Sequence, residues 1–236
     1  NYLVEKNLKP VLAVDADPNA NLNDVLGEEV EITLGEIRDD VSIRNRDGNL
    51  PAGMTKAEYI NYQLQQAVIE GKGYDILVMG RPEGSGCYCF ANGILREATD
   101  RFSEAYKFMV IDNEAGLEHL SRRTTKSVDT MFAVSECSKR GIEAAGRVKQ
   151  LIDELNLEVK ELYLIVNRVP EGGISDELQQ VIDKYGLTLA GTVPLDVTIF
   201  EYDNKGTPLV EIPKDNAAVK AIRNVFDNFL LSRIDG

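Results

Sequence analysis

The chain repeats one pattern: a short apolar run rich in β-branched residues, a polar turn, then a stretch with helical periodicity. Val11 to Val14, Asp75 to Met79, Phe108 to Ile111, Met131 to Val134, Leu162 to Val166 and Leu187 to Val193 read as strands. Their apolar runs are continuous rather than alternating, as parallel strands covered on both faces require. Between them, helices are expected over Lys56 to Glu70, opened by a capping box at Thr55 and Glu58, over Arg140 to Leu155, and over Asp176 to Tyr185. Such alternation predicts an α/β fold: a doubly wound, mostly parallel sheet with helices on both faces, forming one domain over residues 1–236. Glu28 to Met54 is charged and irregular and is expected to be a long loop excursion. Asn1 to Leu8 reads as the last two turns of a helix that Lys9-Pro10 ends.

Charge narrows the function classes. The 236 residues carry 26 Lys and Arg against 39 Asp and Glu, a formal charge of −13. That balance argues against a nucleic-acid partner, because such affinity comes from basic residues neutralising phosphates, and equally against an anionic membrane surface. No apolar stretch approaches the roughly 20 residues that span a bilayer, and no signal peptide opens the sequence, so the expected location is the cytoplasm. Three cysteines do not make a disulfide framework, and the single histidine, His119, rules out a multi-histidine metal site.

Ligands of parallel sheets sit at the carboxyl ends of the strands, which directs attention to two acidic segments. Val11 to Val14 runs into Asp15-Ala16-Asp17-Pro18-Asn19, and Phe108 to Ile111 runs into Asp112-Asn113-Glu114-Ala115-Gly116. Asp112 followed by Gly116 has the form of a Walker B aspartate leading into a switch: the carboxylate holds Mg²⁺, usually through water, and the glycine lets backbone approach a γ-phosphate. Asp17 would orient the attacking water. The alternative reading is that each aspartate only caps a helix. No G-x-x-x-x-G-K-[ST] loop occurs anywhere, and Gly71-Lys72-Gly73 reads as a turn before a strand. A first strand and phosphate loop would join the chain just before Asn1.

VDADPNANL, VIDNEAG and Ile165-Val166-Asn167-Arg168-Val169, with the later Gly191-Thr192-Val193-Pro194 and Gly206-Thr207-Pro208-Leu209, resemble the deviant Walker A ATPases, the class of MinD, ParA and the nitrogenase iron protein. The resemblance covers essentially the whole chain. It implies an ATPase using ATP/ADP and Mg²⁺, with Asp17 in switch I, Asp15 beside it in the Mg²⁺ network, Asp112 as the Walker B acid, Gly116 in switch II, Asn167 as the adenine contact, and Arg168 and Pro194 among the nucleotide-binding residues.

Gly80-Arg81-Pro82-Glu83-Gly84-Ser85-Gly86-Cys87-Tyr88-Cys89 separates subfamilies. If the segment is extended, Cys87 and Cys89 face the same way and supply half of a four-coordinate thiolate site. The other half would come from the same pair in a two-fold related subunit. The alternative is two small buried residues in a glycine-rich loop. The segment is similar to that of the CooC-type ATPases, which mature nickel-dependent carbon monoxide dehydrogenase and acetyl-CoA synthase. That likeness implies a homodimeric metallochaperone carrying Ni²⁺, or Zn²⁺ in its place, to such a client enzyme. Two alternatives are an iron protein-like reductase with an intersubunit iron–sulfur cluster and a MinD- or ParA-like positioning ATPase. Cys137 is expected to pack, His119 to lie at the surface, and the apolar stripe from Val219 to Leu230 to cover a sheet rather than bind a membrane.

Overall fold

The computed structural model describes residues 1–81, 88–116 and 127–231, with backbone alone at 88–91 and 231. The chain is organised as two compact units, Asn1–Ala115 and Gly116–Gly236. In both, the continuous apolar runs form parallel strands, as their patterning predicts.

In the first unit, β1 (Val11–Ala16) lies between β3 (Asp75–Val78) and β4 (Phe108–Asn113), parallel to both, and the two-residue β2 (Ile69–Glu70) adds antiparallel to β3. Leu12, Val14 and Ala16 of β1 and Leu77 of β3 bury against Leu34, Ile37 and Val41 of one helix and Tyr59, Ile60 and Leu64 of another. These helices are α3 (Leu34–Asp47) and α4 (Lys56–Gln66); a single turn, α1 (Tyr2–Glu5), precedes β1, and α2 (Leu22–Leu26) follows it. α5 (Tyr88–Phe102) leads towards β4.

Three of the expectations need correcting. Glu28 to Met54 is not a loop throughout: α3 occupies its centre, opened by a capping box between Thr33 and Glu36 and closed by Gly48 in the left-handed conformation. Leu34, Ile37 and Val41 supply the buried stripe, which frequent charges obscure in the sequence. The helix begun at Lys56 stops at Gln66 rather than Glu70, because Ile69 and Glu70 pair with Ile76 and Asp75. Likewise the opening segment forms one helical turn rather than two.

In the second unit, β5 (Ser127–Glu136), β6 (Glu158–Val169) and β7 (Thr188–Pro194) form a wholly parallel sheet in that order. Successive residues of β6 serve opposite faces. Leu164 and Val166 meet Ile142 and Ala145 of α6 (Lys139–Leu155) and Ile182 of α7 (Asp176–Lys184), whereas Ile165 meets Ala218 and Val225 of α9 (Ala217–Phe226). This is the both-faced burial that an unbroken apolar strand anticipates. α8 (Val197–Asn204) follows β7. The carboxy-terminal stripe covers the sheet as expected, with Phe226 against Phe132 and Phe229 against Tyr163. Cys137 joins the α6 cluster. Among the described residues no helix is long and apolar enough to cross a membrane.

Candidate functional site

Parallel register brings the acidic residues of the first unit together. Asp15 lies opposite Asp112 across β1 and β4 at their carboxyl ends. Asp15 is 1% exposed, and its two oxygens are both used: Oδ1 accepts the Asp17 N–H and Oδ2 the Leu22 N–H, each at 2.9 Å. Leu22 begins α2, so Asp15 does carry part of a capping role, reached across seven residues. Asp17 does not cap a helix; its Oδ1 accepts the Asn19 N–H at 2.8 Å, and the Asp17 carbonyl accepts from Ala20. The loop from Asp15 to Leu22 is thus folded back over a buried carboxylate.

Electrostatics sets this edge apart. Burial pushes the Asp15 carboxyl above its ordinary 3.8, opposed by the amide hydrogen bonds from Leu22 and Asp17. Asp112 is raised as well, first by withdrawal from water and then by repulsion from Asp15 and Asp17, although its side chain keeps solvent access. Carboxylates gathered so closely that the pKa of Asp15 and of Asp112 is raised in part by neighbouring negative charge fit a divalent cation of hard character. Among the described residues no three Asp, Glu, His or Cys side chains close tightly enough to enclose a metal. The donor set therefore fits Mg²⁺ held largely through water, with one or two carboxylates and the rest of its shell from water and phosphate. Gly116, at φ +106°, takes a conformation in which a side chain would be strained, and its Cβ position faces open space.

The cysteine segment leaves from the same edge. The Met79 N–H donates to the Asp15 carbonyl and the Gly35 N–H to the Met79 carbonyl, each at 2.8 Å. Gly80, at φ +61°, then passes so close to Thr33 that a Cβ there would lie 2.5 Å from that of Thr33. Cys87 lies outside the described residues. Cys89 stands in the first turn of α5, so its backbone is helical and not extended. The extended geometry expected of the pair therefore does not hold at Cys89. His119 also lies outside the described residues.

In the second unit, the pairing of β6 with β7 is interrupted between Val166 and Val169, which lifts Asn167 and Arg168 out of the ladder. Arg168 has φ +53°, a left-handed conformation uncommon for a side-chain-bearing residue. Its N–H donates to Asn167 Oδ1 at 2.8 Å, and its guanidinium Nη1 lies 3.3 Å from Glu136 Oε1. Pro194 pairs in register with Val169, and the Leu195 N–H donates to the Val169 carbonyl. Leu195, Val197 and Phe200 follow with their apolar side chains largely exposed. Sequence reasoning missed Glu136. Its signal was available: it ends β5 as Asp15 ends the apolar part of β1.

Residues 2–209 match the CobQ/CobB/MinD/ParA nucleotide binding domain. An uncharacterized ATP-binding protein of Methanocaldococcus jannaschii is 43% identical over 231 residues, 96% of this chain and 89% of that protein. The carbon monoxide dehydrogenase accessory protein CooC of Rhodospirillum rubrum is 29% identical over 83% of this chain and 76% of its own. Among solved structures, the septum site-determining protein MinD of Pyrococcus horikoshii, complexed with Mg-ADP, superposes with a TM-score of 0.66 over 100% of this chain and 89% of that one, at 23% identity. The α/β architecture, the acid-tipped parallel strands and the match over most of its length make this chain a member of the CobQ/CobB/MinD/ParA nucleotide-binding family, an ATPase of the MinD/ParA class.

Proposed function

We propose that the chain works as one ATPase domain over residues 1–236 whose hydrolysis cycle drives metal delivery: a cytoplasmic, homodimeric metallochaperone that inserts nickel into carbon monoxide dehydrogenase or acetyl-CoA synthase. What carries the reading is the Cys87-Tyr88-Cys89 sequence on a segment that departs from the carboxyl edge at Asp15. The likeness to CooC over four-fifths of the chain supports it. Thiolates that follow a nucleotide-responsive edge so closely in the chain would couple metal holding to the state of the nucleotide.

In this reading Asp17 orients the attacking water, Asp15 fixes the loop that carries Asp17, and Asp112 takes the Mg²⁺ side of the triphosphate. Bound there, Mg²⁺ would neutralise phosphate charge. Gly116 lets backbone approach the γ-phosphate, while Asn167, Arg168 and Pro194 serve the base. Cys87 and Cys89, with the same two residues of a second copy, hold Ni²⁺, or Zn²⁺ in its place, as cargo in a four-thiolate site. The charge of −13 and the packing of the carboxy-terminal stripe count against a positioning role on DNA or membrane.

Metal analysis of the nickel-loaded protein is the direct test. The expected result is about one thiolate-bound metal per dimer, lost in the Cys87→Ser, Cys89→Ser variant. Retention of the metal by that variant refutes the cargo site, and an oxygen-sensitive, iron-containing protein would instead establish the reductase alternative.

A further inference from the structure

Among the described residues, the buried polar side chains mostly find partners. Asp15 accepts two N–H groups, the Ser135 hydroxyl donates to the Glu136 carbonyl, and the Thr99 hydroxyl donates to the Arg96 carbonyl at 3.0 Å. Arg38 keeps a bond to Asp39 through Nη1, though its Nε has none. Asn92 of α5 differs: the residue is 9% exposed, and its amide Nδ2 has no hydrogen-bond partner. A buried donor left without an acceptor costs free energy, so its presence calls for a reason.

Asn92, Leu95 and Thr99 follow one another at helical spacing, and all three are buried. Thr99 turns its hydroxyl back onto its own helix and is satisfied there. Asn92 stands one turn from the start of α5, which begins at Tyr88. The Cα–Cβ bonds of an α-helix tilt towards its amino terminus, so a side chain covers the turn before its own Cα. The turn that Asn92 covers is the one containing Cys89, three residues earlier.

On the cargo reading, that turn holds an acceptor once metal is bound. The amino-terminal turn of a helix favours a thiolate over a thiol. A sulfur bound to a divalent metal keeps lone pairs that accept N–H donors, and four thiolates around one such ion leave an excess of negative charge. A donor from outside the ligand set offsets part of that charge and fixes the sulfur in place. An amide suits the task better than Lys or Arg in the interior, because it brings a donor with no charge to bury.

We infer that Asn92 is a positioning residue for the metal cargo: its Nδ2–H donates to the Cys89 thiolate in the metal-loaded protein, holding that sulfur and drawing charge from it. The inference rests on the reading of Cys87 and Cys89 as the cargo site. With two copies sharing one ion, two such amides serve the site, one per subunit. The unpaired amide is then a cost of the metal-free state that cargo binding relieves.

The test titrates Ni²⁺ into the intact protein and reads both its affinity and the thiolate-to-nickel charge-transfer band. Asn92→Leu keeps the size of the side chain and removes the donor. It should weaken Ni²⁺ binding by about ten- to a hundredfold, the usual effect of losing a hydrogen-bond partner of a metal ligand. The band should move to longer wavelength, because a sulfur lone pair freed of its hydrogen bond gives up charge more readily. Metal-free Asn92→Leu should melt no lower than the wild type, since an apolar group of similar shape removes an unsatisfied buried donor. Asn92→Ala, which also lacks the donor, supplies the same affinity and band readings if the leucine variant does not fold. An unmoved band in a folded variant overturns the inference, whether or not affinity or melting temperature falls. The Cys87→Ser, Cys89→Ser variant separates the two levels. If it keeps the metal, the cargo reading itself fails. If it loses the metal while Asn92→Leu binds and absorbs as the wild type does, only the role of Asn92 fails.

Discussion

The carboxyl edges of the two sheets are built from opposite materials. The edge of the first unit collects the carboxylates of Asp15, Asp17 and Asp112; withdrawal from water and neighbouring negative charge raise the pKa of Asp15 and of Asp112, and Asp15 is buried. The edge of the second balances its charge within itself, Glu136 against Arg168, and adds an amide, a proline and exposed apolar side chains. An edge that accumulates like charge at the expense of the fold is arranged for a cation and phosphates. An edge that is neutral, hydrogen-bonding and apolar has the chemistry of the base contact proposed for it.

The largest test of this contrast is kinetic. Asp17→Ala should lower ATP turnover by about two to four orders of magnitude, the usual contribution of a group that positions or activates the attacking water, with nucleotide affinity nearly kept. Asn167→Ala should instead raise KM with a much smaller effect on kcat. Steady-state rates over a range of ATP concentration separate the two, and equal kcat losses would dissolve the division of labour.

Structural variants away from both edges should cost stability in either unit without touching that division. Gly146→Ala puts a Cβ 2.4 Å from the Tyr185 ring, between α6 and the residue that caps α7. Overpacking of this kind costs about 1–3 kcal/mol, which chemical denaturation will read. In the first unit, Tyr59 donates to Asp40 Oδ2 at 2.6 Å and Arg44 Nε meets the same carboxylate, latching α4 to α3. Tyr59→Phe should cost about 1 kcal/mol and leave ATP turnover unchanged.

The smallest expected effect is the most diagnostic of the charge. A carboxyl whose folded pKa lies above 3.8 is less easily ionised in the fold than in the unfolded chain. The resulting penalty is absent below pH 3.8 and grows as pH rises through the raised value. Asp112→Asn should therefore melt slightly higher than the wild type at neutral pH and converge with it below pH 3.8. Solvent at Asp112 keeps the gain modest.

Much of this was legible in the residues. Unbroken apolar runs gave the parallel strands, and strand-ending acids gave Asp15, Asp17 and Asp112. α3 was harder to see, because charged positions crowd its buried stripe, yet Thr33-x-x-Glu36 repeats the capping signal read correctly at Thr55-x-x-Glu58. Ile69 and Glu70 continue the helical pattern of α4 and were claimed by strand pairing, a tertiary effect that local sequence does not carry. The extended backbone expected at Cys89 is helical instead, because nothing in a glycine-rich run marks where α5 begins. The left-handed Arg168 had no sequence signal at all, since glycine or asparagine is the residue that usually announces that conformation.

The central claim is that the charged edge of the first unit is the cation end of a nucleotide site. Thermal melting of wild type and Asp112→Asn with ATP, with and without Mg²⁺, tests it most directly. The wild type should gain markedly more from Mg·ATP than from ATP alone, while Asp112→Asn, though the more stable of the two without ligand, should gain nothing further from Mg²⁺. An equal Mg²⁺-dependent gain in both proteins would contradict it.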